Sequence, residues 1–389
     1  MKVVYLSDQR YYHDQVGRWY TTASFPLAML VKAFPPKLSR WVFFGRLLPA
    51  PSDVSPLFPI ENPPGISVEY DGPRDSIQGL AGHLRKLPQY FYLIRQCVRN
   101  ADLVWAKLPF MASWLALIGQ PERGYYVTHM VGDPGATLER RGGWFWRRAA
   151  SLSRVLSRKA MGNAHFCLFV SDDLRSRYAP KGKETAIVHE GRVSKADLAD
   201  GFQKNKREIY FLMYVGRLSP EKGVDVLIHA LAIARESAVL NLRIVGDGPE
   251  KDRLQSLVSS LGLSDSVDFA GTVRWGPSLF AEIRAATCLV LPSYTEGFPL
   301  VVLEGLSQAT PVISSDVGGV RELVQSGKSA ILVPAGNVTT LSAAILQVVL
   351  DTKLQEQLAL EGLRVAAENT LERQVELLRP VFAMASPGK

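Results

Sequence analysis

The chain has 389 residues, 47% of them apolar and 21% charged, with a mean hydropathy of +0.03; this excludes a disordered or fibrous protein and predicts two folded domains. The net charge of +8 is uneven, because residues 1–200 hold 27 Lys and Arg against 17 Asp and Glu while 201–389 hold 18 against 20. Cys97, Cys167 and Cys288 are too scattered for a disulfide framework or a zinc site, which fits a reducing cytoplasm.

The opening run Met1–Asp8 is too short for a signal peptide and reads as a first strand. Further strands are predicted near Trp41–Phe44, Ser67–Tyr70, Leu103–Trp105, Tyr125–His129 and Phe166–Val170, with helices between them. The stretch Met111–Gly119 is far shorter than the roughly 20 apolar residues a membrane span needs. The pattern restarts at Ile209–Val215 and continues through Asn241–Val245, Val267–Ala270, Cys288–Leu291, Val312–Ser314 and Ala330–Val333. Alternating strands and helices predict two doubly wound parallel sheets. The polar segment Asp197–Arg207 reads as the linker, giving domains 1–202 and 203–370, with 371–389 a C-terminal helix able to cross back to the first domain.

Chemistry concentrates at strand ends in the second half. Gly216-Arg217-Leu218 closes one strand, and Ser219-Pro220 reads as an N-cap and first helical residue. Lys222 then sits where the helix dipole disfavours a cation, a conflict that a bound anion removes. Gly246-Asp247-Gly248-Pro249 follows the next strand, its glycines allowing close approach of backbone to ligand. Position 251 is Lys251, so the third glycine of a dinucleotide fingerprint is missing. In Glu296-Gly297-Phe298-Pro299-Leu300-Val301-Val302-Leu303-Glu304, Pro299 suits the first helical position and leaves the Leu300 and Val301 amides as a seat for phosphate. Glu304 is placed to reach a ribose, and Glu296 a sugar ring.

These motifs, with Glu221-Lys222-Gly223, Thr310-Pro311-Val312-Ile313 and Gly318-Gly319-Val320-Arg321-Glu322, resemble the retaining glycosyltransferase family 4 through most of residues 209–335. The resemblance implies the GT-B fold, two Rossmann-like domains facing a cleft. It implies a UDP- or GDP-sugar donor, retention of anomeric configuration, no metal and no separate cofactor. Arg217 and Lys222 become the clamp on the diphosphate, Glu304 the ribose ligand, and Glu296 with Gly297-Phe298 the holder of the transferred sugar. The sequence departs from the family at Gly305, where Ala is usual, and at Ala309, where Gly is.

The first half carries the acceptor side. Only Gly17 stands where relatives have a glycine pair after the first strand, in an aromatic segment, Asp8 to Tyr20, that suits saccharides. Asp8, Gly17, Arg18 and Asp133 are acceptor-side candidates, and the resemblance turns His129 toward the donor sugar. The segment from Arg140 to Lys159 sets basic residues beside Trp and Phe, the composition of a helix lying on anionic lipid; no nucleic-acid fold signature accompanies it. The reading is a cytoplasmic hexosyltransferase at the inner membrane face, acting in surface polysaccharide or glycolipid assembly on a saccharide or lipid-linked acceptor. Its rivals are a nucleotide-sugar epimerase of the same fold, an NAD-dependent oxidoreductase and a non-catalytic carbohydrate-binding protein.

Overall fold

The computed structural model describes all residues except 22–26, 52–56, 61, 74–86, 119–123, 140–141, 204–208 and 385–389. It separates into two compact units, Met1–Arg192 with the chain from Glu372 onward, and Val193–Leu371.

The first unit is built on a sheet of nine strands among the described residues: β1 (Lys2–His13), β2 (Trp19–Thr21), β3 (Arg40–Pro49), β4 (Phe58–Pro59), β5 (Ser67–Asp71), β6 (Leu103–Leu108), β7 (Tyr125–Met130), β8 (Phe166–Phe169) and β9 (Thr185–Ile187). The parallel strands run β5-β3-β1-β6-β7-β8-β9, the doubly wound order expected. Val3 to Leu6 and Leu103 to Ala106 are buried to 1% or less on β1 and 3% or less on β6, as a sheet covered on both faces requires.

Two features differ from the sequence reading. The first strand continues to His13, pairing with β3 (Tyr11 opposite Leu47) and antiparallel with β2 (Tyr12 opposite Tyr20). Asp8 to Tyr20 is therefore a bulged strand and a hairpin rather than a loop. Gly17, φ +88, lies in its turn, where Asp14 Oδ1 accepts from the amides of Val16 and Arg18. Long-range pairing decides this, and local propensity does not reveal it.

The chain also changes unit at Arg192/Val193, ten residues before the expected boundary. Val193 is already in the second core, the Ala199 amide donates to Ser307 O (2.8 Å), and Gln308 Nε2 donates to Asp197 O (2.8 Å). The polar segment from Asp197 is thus partly bonded to the second unit, and 204–208 lie outside the described residues.

The second unit has six strands among the described residues, β10 (Tyr210–Val215), β11 (Leu240–Val245), β12 (Val267–Gly271), β13 (Cys288–Leu291), β14 (Val312–Ser315) and β15 (Ile331–Val333). All are parallel, in the order β12-β11-β10-β13-β14-β15. Strand order reverses between β10 and β13, the usual place for a ligand. The chain closes with helices Val338–Leu350, Thr352–Glu368 and Leu371–Ala383, the first two capped by Asn337 and Asp351. In the last, Phe382 stacks on Phe34 at 4.1 Å and lies 5.1 Å from Trp105, inside the first unit's core. Among the described residues no helix is long and apolar enough to cross a membrane.

Candidate functional site

In the second unit the loops after β10, β11, β13 and β14 are tied to one another. The Gly216 amide donates to Val245 O (2.9 Å), the Leu218 amide to Asp247 O (2.9 Å) and the Glu250 amide to Leu218 O (3.1 Å). A Cβ on Gly246 would stand 1.8 Å from Gly216 O, and one on Gly248 2.2 Å from Leu218 O. These two glycines let one loop lie on the other; the close approach is between loops, where the sequence suggested approach to a ligand.

Ser219 and Pro220 open a single 3₁₀ turn, Pro220–Lys222, as N-cap and first residue. Gly223 follows at φ +62, where a Cβ would meet Pro292 O at 2.4 Å, and Glu221 O accepts from the Tyr294 amide at 2.9 Å. The ends of β10 and β13 are thereby locked together, and Lys222 Nζ donates to Glu296 Oε1 at 2.7 Å. Glu296 is only 10% exposed and Lys222 24%. Arg217 is exposed and forms no ion pair among the described residues. Burial works to raise the Glu221 carboxyl pKa, but the Ser219 hydroxyl and the charges of Lys222 and Arg217 hold it below its usual range.

Glu296 is gripped from behind as well. Its carbonyl lies where a Cβ on Gly318 would come within 1.9 Å, and it accepts from the Gly319 amide at 3.4 Å. The helix Leu300–Ser307 then begins, with Pro299 as its N-cap (φ −84°, ψ 80°) rather than its first helical residue. That turn bends the Leu300 amide back to Phe298 O at 3.0 Å. Of the two amides expected to receive phosphate, Leu300 is therefore occupied. Val301 has no partner among the described residues. Glu304, 6% exposed, accepts from Trp275 Nε1 at 2.9 Å.

The first unit's candidates are placed differently. His129, at the end of β7, is 1% exposed, and its Nε2 donates to Val188 O at 2.8 Å. Burial pushes its pKa down, so the ring is neutral, with Nδ1 3.8 Å from Glu190 Oε1. It lies beneath the surface, and the partly exposed group in front of it is Glu190. Burial acts to raise the Glu190 pKa, but the Lys107 ammonium, 2.7 Å away, holds it below its usual value.

Asp133 is committed to structure. Its Oδ1 accepts from the Gly135 and Ala136 amides, and its Oδ2 from Tyr178 Oη (3.0 Å) and Arg177 (2.6 Å). Arg18 is an exposed hairpin residue. Asp8 lies on β1, but its side chain falls outside the described residues, as do Arg140 and Arg141. In the aromatic segment Trp19 stacks on Tyr70 at 4.0 Å beside a hollow of about 500 Å³ that His13 and Gln15 also line.

Residues 197–364 match the family model described as "Glycosyl transferases group 1". Residues 197–364, most of the second unit, are therefore similar to the group 1 glycosyl transferases. A D-inositol 3-phosphate glycosyltransferase of Acidothermus cellulolyticus is 33% identical over 232 residues, covering 56% of this chain and 50% of the relative. The chain thus spans about half the length of that curated relative. Sucrose-phosphate synthase from Thermosynechococcus elongatus superposes with a TM-score of 0.73 at 20% identity, over 99% of this chain and 100% of that one. Anabaena HepE, solved with UDP-glucose, gives a TM-score of 0.65 at 19% identity, over 99% and 98%. At these identities the likeness concerns the fold, and that fold is GT-B.

Sequence motifs marked the loops of the second unit but not the residues that hold them. Trp275 sits in the loop after β12 with no motif around it, and only its indole bond to Glu304 reveals it. Lys107 and Glu190 are 83 positions apart, and nothing local in the chain pairs them.

Proposed function

We propose that this protein is a retaining, metal-independent glycosyltransferase that moves a hexose from a nucleoside-diphosphate sugar to a saccharide or lipid-linked acceptor. The observation that carries the reading is the Lys222–Glu296 contact. It sets a cation suited to a departing diphosphate beside a carboxylate suited to sugar hydroxyls, at the switch point of the sheet and on the loop that leads into the helix carrying the Val301 amide. Arg217, Lys222 and that amide would stabilise the charge growing on the leaving diphosphate without reorganising. Glu304, aimed by Trp275, receives the ribose hydroxyls, and Glu296 with Gly297-Phe298 holds the sugar. The backbone loops Gly216-Arg217-Leu218 and Gly246-Asp247-Gly248 wall the nucleotide side.

A uridine donor is favoured, because HepE, of the same fold, was captured with UDP-glucose. Arrival of the donor must draw Lys222 partly from Glu296 toward phosphate, so binding and site organisation are coupled. The work is placed at the cytoplasmic face of a membrane, in surface polysaccharide or glycolipid assembly, with anionic lipid as a partner.

The test is thermal stabilisation by UDP and GDP, followed by incubation with the matching nucleotide sugar. A ligand at 100 times its dissociation constant adds about 2.7 kcal/mol. No stabilisation by any nucleoside diphosphate ends the reading, and conversion of the donor to its epimer without transfer replaces it with isomerisation.

A further inference from the structure

The helix Trp144–Asn163 has five basic residues and no acidic one, and the structure shows how they are arranged around its axis. Ala150, Ser153, Ser157, Ala160 and Met161 face inward and are buried. The 3.6-residue period puts Trp144, Arg148, Leu152, Val155 and Lys159 on the opposite side, at steps of three and four. Trp144 is 71% exposed, Leu152 58% and Val155 58%, and Phe145 beside them is 50% exposed. A soluble helix normally turns charge outward and apolar groups inward. Here the outward stripe is itself apolar, interleaved with cations.

The basic residues divide by role. Arg154 is bound to Glu139 and Asp133, and Arg158 lies over the Tyr178 ring. Arg148 lies over Trp144 at 5.4 Å, and neither it nor Lys159 has an ion pair among the described residues. Arg147 and Arg148 also occupy the first turns, where the helix dipole repels cations, and Gly143 offers no side-chain cap. Both defects are offset by an anionic surface that accepts the cations while the Trp and Phe rings enter its apolar margin.

We propose that this stripe, Trp144, Phe145, Arg148, Leu152, Val155 and Lys159, docks the protein in the plane of an anionic lipid bilayer, and that the acceptor is therefore lipid-linked rather than a free saccharide. The docking stands on the helix alone, while the acceptor class rests on the transferase reading. A nucleic acid would engage the cations but leave the apolar groups in water; a bilayer interface takes both.

The test uses the full chain, sedimented with vesicles of phosphatidylcholine containing phosphatidylglycerol and with pure phosphatidylcholine. Binding to the first alone is expected, weakened by salt. The pair Arg148→Glu with Lys159→Glu should weaken it by at least about tenfold, as should Trp144→Ala with Phe145→Ala. Circular dichroism and nucleotide stabilisation should be unchanged in both variants. Equal binding to both vesicle types, binding to neither, or a dimer broken by the Trp144 and Phe145 changes overturns the docking. Vesicle binding without nucleotide binding leaves docking intact and removes the transferase. Sugar label from the donor, supplied with membranes, should enter the organic-solvent extract; label only in water-soluble saccharide overturns the acceptor class.

Discussion

In the proposed transfer, Lys222 and Glu296 are the residues on which the chemistry would turn. Lys222→Ala or Arg217→Ala should each lower turnover about 10²–10³-fold, the scale of removing one preorganised transition-state donor; Glu296→Gln should do likewise and also free Lys222. Donor-consumption rates on folded protein check this, and unchanged rates in all three would remove the assignment. Ala309 gives a prediction of another kind. It has φ +51 just past the helix Leu300–Ser307, its amide donating to Leu306 O and that of Thr310 to Gly305 O, which is a Schellman ending. Such a position favours Gly, as family resemblance already indicated without the reason. Ala309→Gly should therefore raise stability by up to about 1 kcal/mol, the left-handed strain less the added chain entropy, measured by urea unfolding. His129 supplies the pH dependence. Its folded pKa is depressed by burial, so protons bind the unfolded chain first and stability falls as pH drops below about 6.5. Comparing stability between pH 8 and 5 should show a shallower fall in His129→Gln, by up to about 1.4 kcal/mol per pH unit.

Among the elements, the strand-end loops were the most legible in sequence, since glycines at Gly216, Gly223, Gly246 and Gly318 mark contacts that no side chain fits. Gly246→Ala should force its loop off Gly216 O, costing about 1–3 kcal/mol and abolishing nucleotide stabilisation; a normal melting shift with UDP would show that the loops bend freely. The helix start at Pro299 was legible only in part, because proline's fixed φ suits an N-cap as well as a first helical residue, and ψ decides where the next amide points. The extended β1 and its hairpin were not legible. Gln9 to His13 alternates poorly, and its strand conformation comes from β2 and β3 lying on either side. Partners such as Lys107 and Glu190 were hidden for the same reason: their proximity is a product of the sheet order, not of spacing along the chain.

At the scale of the whole molecule, the charge asymmetry visible in composition finds its place in the first unit, on a helix whose outward stripe is unlike that of an ordinary soluble surface. The reading of the sequence located most of the parallel strands of the two sheets. It put the unit boundary too late because polarity was taken for a linker, whereas the segment from Val193 is bonded to the second unit through Ala199 and Gln308.

The first unit is completed by the last residues of the chain, since Val375, Leu378, Val381 and Phe382 are buried to 3% or less and Phe382 lies against Phe34 and Trp105. A ribosome releases those residues only after the whole of the second unit. The sheet of the first unit must therefore wait, incompletely sealed, while the second unit is made, at about 5–20 residues per second. A chain ending at Thr370 should keep a protease-resistant second unit yet leave the first open to rapid cleavage; a first unit that resists digestion equally well would show that its seal forms without them. Any change that blocks docking of the helix Leu371–Ala383 would act late, on a first unit whose partner unit is already made.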